Sequence, residues 1–139
     1  MKPITFFFCA LILIVASCTK SKEMTPQQKL LGVWHLTRLE EKETYSDGRI
    51  KTYDTTYNRD IYVLNLKENN RVTLSSFDEI IDSANYTFDP ITNILKIMPE
   101  NDSDNKYGEV RSLTDKSFIL YSYDTYNDDK YEAFDHFER

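Results

Sequence analysis

Few side chains in this chain can do covalent or metal chemistry, and their positions narrow what it can catalyse. The two cysteines, Cys9 and Cys18, lie close to the N terminus, and the only histidines are His35 and His136. A zinc or general-base site built on histidine would need both, together with carboxylates, and nothing in their spacing marks such a set. The run Glu100-Asn101-Asp102-Ser103-Asp104-Asn105 offers calcium-like ligands, but a helix-flanked calcium loop needs glycine at its sixth position. Counting from Asp102, that position is Tyr107, and Lys106 stands where a ligand should be. The run reads as a solvated acidic loop. No serine sits in a nucleophile turn, and the chain's three glycines form no phosphate-binding loop. The expectation is therefore no enzyme, no metal site and no cofactor.

Cys18 has the clearest chemical assignment. Met1-Lys2-Pro3 carries one side-chain positive charge, residues 4–16 are apolar except Thr5, and Ala16 and Ser17 are small. That apolar stretch is shorter than the roughly 20 residues a spanning helix needs. A charged start, a short apolar core and a small-residue exit describe a removable export signal. Val15-Ala16-Ser17-Cys18 resembles the lipobox of bacterial lipoproteins. The resemblance implies cleavage after residue 17 and a lipid on the Cys18 thiol, with long chains such as palmitate, so the expected partner is a membrane. Two acyl chains hold a protein stably where one holds it reversibly. Residues 18–28 are polar and read as a flexible tether. Under the sorting rule such signals follow, Thr19 after the cysteine favours the outer membrane. Lys20-Ser21-Lys22 is not the acidic cluster of surface lipoproteins, so the periplasmic face is expected, with surface display as the alternative. Cys9 leaves with the signal, which leaves no thiol for a disulfide.

The remaining segment, residues 29–139, reads as one domain that is all-β. Its acidic surplus is uneven: residues 78–139 hold fifteen acidic and six basic side chains, within a whole-chain net charge of −6. That argues against nucleic acid as a partner. Thr25 and Pro26 suit a helix start, and Gly32 suits its end. From Val33 onward, alternating apolar and polar residues with turn clusters predict strands at 33–44, 49–57, 60–67, 71–77, 84–88, 94–98, 107–113, 117–123 and 130–138. Eight or nine antiparallel strands with short connections leave exposed edges unless the first and last meet, so an up-and-down antiparallel β-barrel is favoured over a two-sheet sandwich.

Gly32-Val33-Trp34, just after a short helical turn, resembles the entry motif of lipocalins, and the segments Val110–Leu120 and Phe137-Glu138-Arg139 are similar to lipocalin-like domains of small Gram-negative lipoproteins. The resemblance implies that Gly32 and Trp34 sit at the barrel's closed end. It also implies that a late arginine, Arg139, stacks over the tryptophan, with Arg38 or Arg111 as substitutes. Alternation places Tyr62, Leu64, Leu66, Val72, Leu74, Tyr86, Phe88, Leu95, Ile97, Phe118, Leu120 and Phe134 inside as candidate ligand-lining residues. So many large side chains predict a largely filled interior, with room only for a ligand that is small or enters partway. Two functions follow. One is carriage of a small apolar or amphipathic ligand; the other is an envelope-protein interaction or inhibition through loops and outer surface. Asp82-Ser83-Ala84 resembles a three-residue O-glycosylation signal of periplasmic proteins, making Ser83, in an expected loop, a candidate modification site.

Overall fold

Thr25 and Gln28 start the folded domain by capping each other. The Thr25 hydroxyl accepts the Gln28 N–H at 3.3 Å, and the Gln28 side-chain oxygen accepts the Thr25 N–H at 2.9 Å. This reciprocal box and Pro26 in the first turn initiate helix α1 (Pro26–Leu30). The helix ends where Gly32, at φ +118°, turns the chain into the first strand. In this computed structural model the described residues are 23–100 and 105–139. The expected export signal over residues 1–17, Cys18 with the first part of the expected tether, and residues 101–104 of the acidic run lie outside them.

Nine strands follow: β1 (Gly32–Thr44), β2 (Ile50–Thr56), β3 (Tyr62–Leu66), β4 (Arg71–Ser76), β5 (Glu79–Asp89), β6 (Ile94–Pro99), β7 (Lys106–Arg111), β8 (Ser117–Tyr126) and β9 (Asp129–Glu138). Every neighbouring pair is antiparallel. The ring closes because β1 pairs with β3 over Gly32–His35 and with β9 over most of its length. Eight strands thus form a closed barrel, and β2 is an extra strand held only on the later part of β1.

Turn chemistry sets the hairpin lengths. Phe77 and Asp78 both have positive φ (49° and 66°), as do Asn127 and Asp128 (51° and 66°). Two-residue turns of this hand match the right-handed strand twist and join strands without a loop. The first of them alters an expectation: β5 begins at Glu79, not at Ala84, because the turn spends only two residues. Ser83 consequently lies within a strand opposite Thr73, not in a loop.

Strand direction sorts the connections into two ends. One end carries α1, the β3–β4, β5–β6 and β7–β8 connections and Arg139; the other carries residues 45–49, 77–78 and 127–128, with Glu100 and Asn105. The buried core clusters towards the first, closed end and is built on Leu30, Trp34, Leu66, Tyr86, Leu95 and Phe118, each at most 2% exposed. Ring stacking organises it: Phe118 meets Trp34 edge-on at 4.8 Å and stacks on Phe137 at 4.8 Å.

Candidate functional site in the barrel lumen

The closed end is fixed by Trp34. Its ring is fully buried and its Nε1–H donates to the Leu30 carbonyl at 2.8 Å, which ties α1 across the end of the barrel. The Arg139 guanidinium lies 4.0 Å from the Trp34 ring centre, a cation–π contact, and donates to the carbonyls of Lys29 (2.7 Å) and Leu31. A Cβ at Gly32 would only reach ordinary contact with this guanidinium, at 3.5 Å, so it is the φ of +118° and not crowding that calls for glycine there.

Cross-strand register assigns every wall residue to a face, because directly paired residues in an antiparallel sheet share one. Tyr62, Leu64, Leu66, Val72, Leu74, Tyr86, Phe88, Leu95, Ile97, Phe118 and Leu120 all share the inner face with Trp34. Phe134 does not. It pairs with Tyr121 while Phe137 pairs with Phe118, so Phe134 stands on the outer wall. There its ring lies 4.9 Å from that of Tyr121, and the Arg111 guanidinium covers Tyr121 at 3.7 Å. Phe134 and Phe137 are three residues apart and cannot both face inward; the tighter Phe118 stack claims Phe137.

The lumen is filled only in its lower half, which corrects the expectation of a largely filled interior. Above the aromatic core lies a cavity of about 370 Å³ lined by Leu64, Val72, Leu74, Ala84, Ile97 and Pro99, with Asp82, Ser83 and Lys106 also at its wall. Leu66, Tyr86, Phe88, Leu95 and Phe118 pack beneath it as core and do not line it. Tyr62 turns instead to Tyr57, meeting it edge-on at 5.2 Å. Leu120 fills the space left by the missing side chain of Gly108, where a Cβ would lie 2.5 Å from it. The filling stops because the inner positions turn polar towards the mouth. A second space of about 530 Å³, also bordered by Lys106, is lined by Glu41, Glu43, Ser122, Asp124, Tyr131 and Ala133 among others. The lumen therefore runs from an apolar floor to a carboxylate-rich mouth. Of its lining, Ala84 was legible as the start of the Tyr86/Phe88 alternation, whereas Asp82 fell in an expected loop. Lys106 and the inner face of Glu41 and Glu43 carried no such signal.

Among the described residues, Asp135 is the one acid in the wall that is strongly perturbed. It faces inward between Leu39 and Leu120. Burial pushes its carboxyl up to about 6 from an ordinary 3.8; the negative charge of Glu41 adds to this and His136 opposes it. Between those two values the folded chain holds a proton that the unfolded chain has released. Stability therefore falls as pH rises through that window and stays lower above it. A two-unit shift corresponds to about 3 kcal/mol; residual solvent access at this half-buried residue brings the expected figure nearer 2 kcal/mol. Asp135→Asn should remove the slope and raise stability at neutral pH by that amount. Urea unfolding of both proteins on either side of the window checks it, and identical pH profiles would count against it.

Neither histidine enters the lumen. His35 Nδ1 bonds the Arg59 carbonyl at 2.7 Å, and His136 Nε2 bonds Glu40 on the outer wall at 2.7 Å. Among the described residues no group of three His, Cys, Asp or Glu side chains is placed to hold a metal ion, and no helix is long and apolar enough to cross a membrane. Ser83 shares the outer wall with Arg71, whose guanidinium donates to its hydroxyl at 3.3 Å. A half-buried, hydrogen-bonded serine within a strand lacks the loop setting that its reading as a glycosylation site assumed. Compared with protein-family models, curated proteins and solved structures, the chain has no match in any of the three.

Proposed function

We propose that this chain is a lipid-anchored, lipocalin-like lipoprotein that carries a small amphipathic molecule in the open half of its barrel. The observation that carries the reading is the graded lumen. A roughly 370 Å³ apolar cavity suits a short acyl or ring system, and the polar space beside Lys106 suits its head group. The lipocalin likeness rests on the residues quoted for it, Gly32, Trp34 and Arg139, and on their contacts at the closed end. The anchor rests on the lipobox at Cys18. In this reading the tether joins the barrel at α1, at the closed end and opposite the mouth.

A second reading has a specific observation in its favour. Phe77 and Ile80, at the β4–β5 hairpin beside the mouth, are 73% and 65% exposed. Such a tip could dock on an envelope protein. Leu74→Trp separates the two. It places an indole in the apolar cavity and leaves the hairpin tip alone. With the neutral probe N-phenyl-1-naphthylamine, ligand carriage predicts saturable binding that weakens about tenfold or more in Leu74→Trp, roughly 1.4 kcal/mol or above. Unchanged probe binding would move the function to the outer surface.

A further inference from the structure

The extra strand β2 leaves a backbone edge unpaired, and its pattern specifies what can fill it. The Tyr45 N–H donates to the Arg49 carbonyl and the Tyr57 N–H to the Thr37 carbonyl, both at 2.9 Å. These bonds bracket the β1–β2 ladder and set its phase, so Lys51, Tyr53 and Thr55 spend their backbone groups on β1. The N–H and C=O groups of Ile50, Thr52, Asp54 and Thr56 then point the other way. Among the described residues no strand borders β2 on that side, and all seven residues of β2 are exposed. Edge strands are commonly shortened, bulged, covered, charged or given proline; β2 has no proline, forms one continuous, unbroken register with β1, and carries just two charges of opposite sign, Lys51 and Asp54.

We propose that β2 pairs with β2 of a second copy of this chain, antiparallel about a two-fold axis at Tyr53, joining two barrels through one continuous sheet. Isologous pairing must set same-phase residues opposite each other. Centring on Tyr53 does so over the whole strand: Thr52 meets Asp54, Ile50 meets Thr56, and the outward backbone groups of each pair bond one another. Lys51 faces Thr55, so no like charges oppose. The Asp54 carboxylate is already held by Arg38 at 2.9 and 2.6 Å and brings a compensated charge to the seam. Centring on Asp54 would set two carboxylates face to face, and centring on Thr52 would run Thr56 into the turn at Gly48. The acidic surplus of residues 78–139 lies in strands that do not border β2, and β2 itself carries one basic and one acidic side chain, so two such edges can approach without net repulsion.

The test uses the full-length chain as its host produces it, with one cysteine added at a time to Cys9 and Cys18. At the axis, the two Tyr53 positions form a non-hydrogen-bonded pair with Cα atoms roughly 4.5 Å apart, within the span of a disulfide. Tyr53→Cys should give an oxidant-dependent band of two chains that is absent from the unsubstituted protein. Thr55→Cys, whose opposite number is Lys51, should not. Adding Thr52→Pro to Tyr53→Cys deletes an edge N–H that β1 does not use. It should abolish the band while Trp34 emission, the chain's single tryptophan signal, stays native. The proposal is overturned if Tyr53→Cys stays monomeric or joins a protein of different mass. It is equally overturned if Thr55→Cys cross-links as well, or if the band survives Thr52→Pro in folded protein.

Discussion

Replacing Trp34 with alanine is expected to cost about 3–5 kcal/mol of unfolding free energy, the range for truncating a fully buried aromatic side chain. Three losses act together. The indole volume at the closed end empties, the edge contact to Phe118 disappears, and the Leu30 carbonyl loses its N–H partner. The Arg139 guanidinium would also lose the ring beneath it, leaving its bonds to the Lys29 and Leu31 carbonyls to hold α1. A small domain typically has about 5–15 kcal/mol in total, so the variant should be partly unfolded at ordinary growth temperature. Trp34→Phe keeps most of the volume but forfeits the hydrogen bond, and should lose clearly less. Urea titration of the three proteins checks the order. A loss below 1 kcal/mol for Trp34→Ala, well under the cited range, would mean that the closed end is held by something other than this residue.

Cys18→Ala is expected to have an all-or-none effect. Without the thiol no diacylglycerol can be attached. Labelled fatty acid should then fail to enter the protein, and the chain should appear as uncleaved precursor or as soluble material. The reasoning is chemical and rests on the order Val15-Ala16-Ser17-Cys18, since residues 1–22 lie outside the described structure. Ser17→Ala, which keeps a small residue before the cysteine, should be processed normally. A Cys18→Ala protein that still takes up label and sediments with membranes would remove the anchor from the account.

Much of the barrel was legible because its causes are local. Alternation, Gly32, the asparagines at Asn70 and Asn93 and the Thr25-Pro26 start each act over a few residues, and strand positions followed from them. What was not legible depends on pairing. Whether Phe134 or Phe137 faces inward is decided by register with β8, and an inner Asp135 looks wrong until Phe118 claims Phe137. The turn at Phe77-Asp78 was hidden because a phenylalanine at positive φ contradicts ordinary turn preferences. The degree of filling failed for a further reason. Counting large apolar residues says how much core exists, but not that Glu41, Glu43, Asp82 and Lys106 occupy the remaining inner positions. Likewise β2 read as one more barrel strand, although β1 pairs with β2 and β3 in succession along one side.

The central claim, that the open half of the lumen carries a small molecule, is tested most directly by native mass spectrometry. The protein would be extracted from its own host's membranes and desolvated gently beside its Leu74→Trp variant. The account predicts a discrete added mass of a small amphiphile on the unsubstituted protein, beyond its acyl chains, lost on collisional heating and absent from the variant. A bare lipidated chain in both samples, with the apolar cavity empty under conditions that preserve other non-covalent complexes, would contradict it.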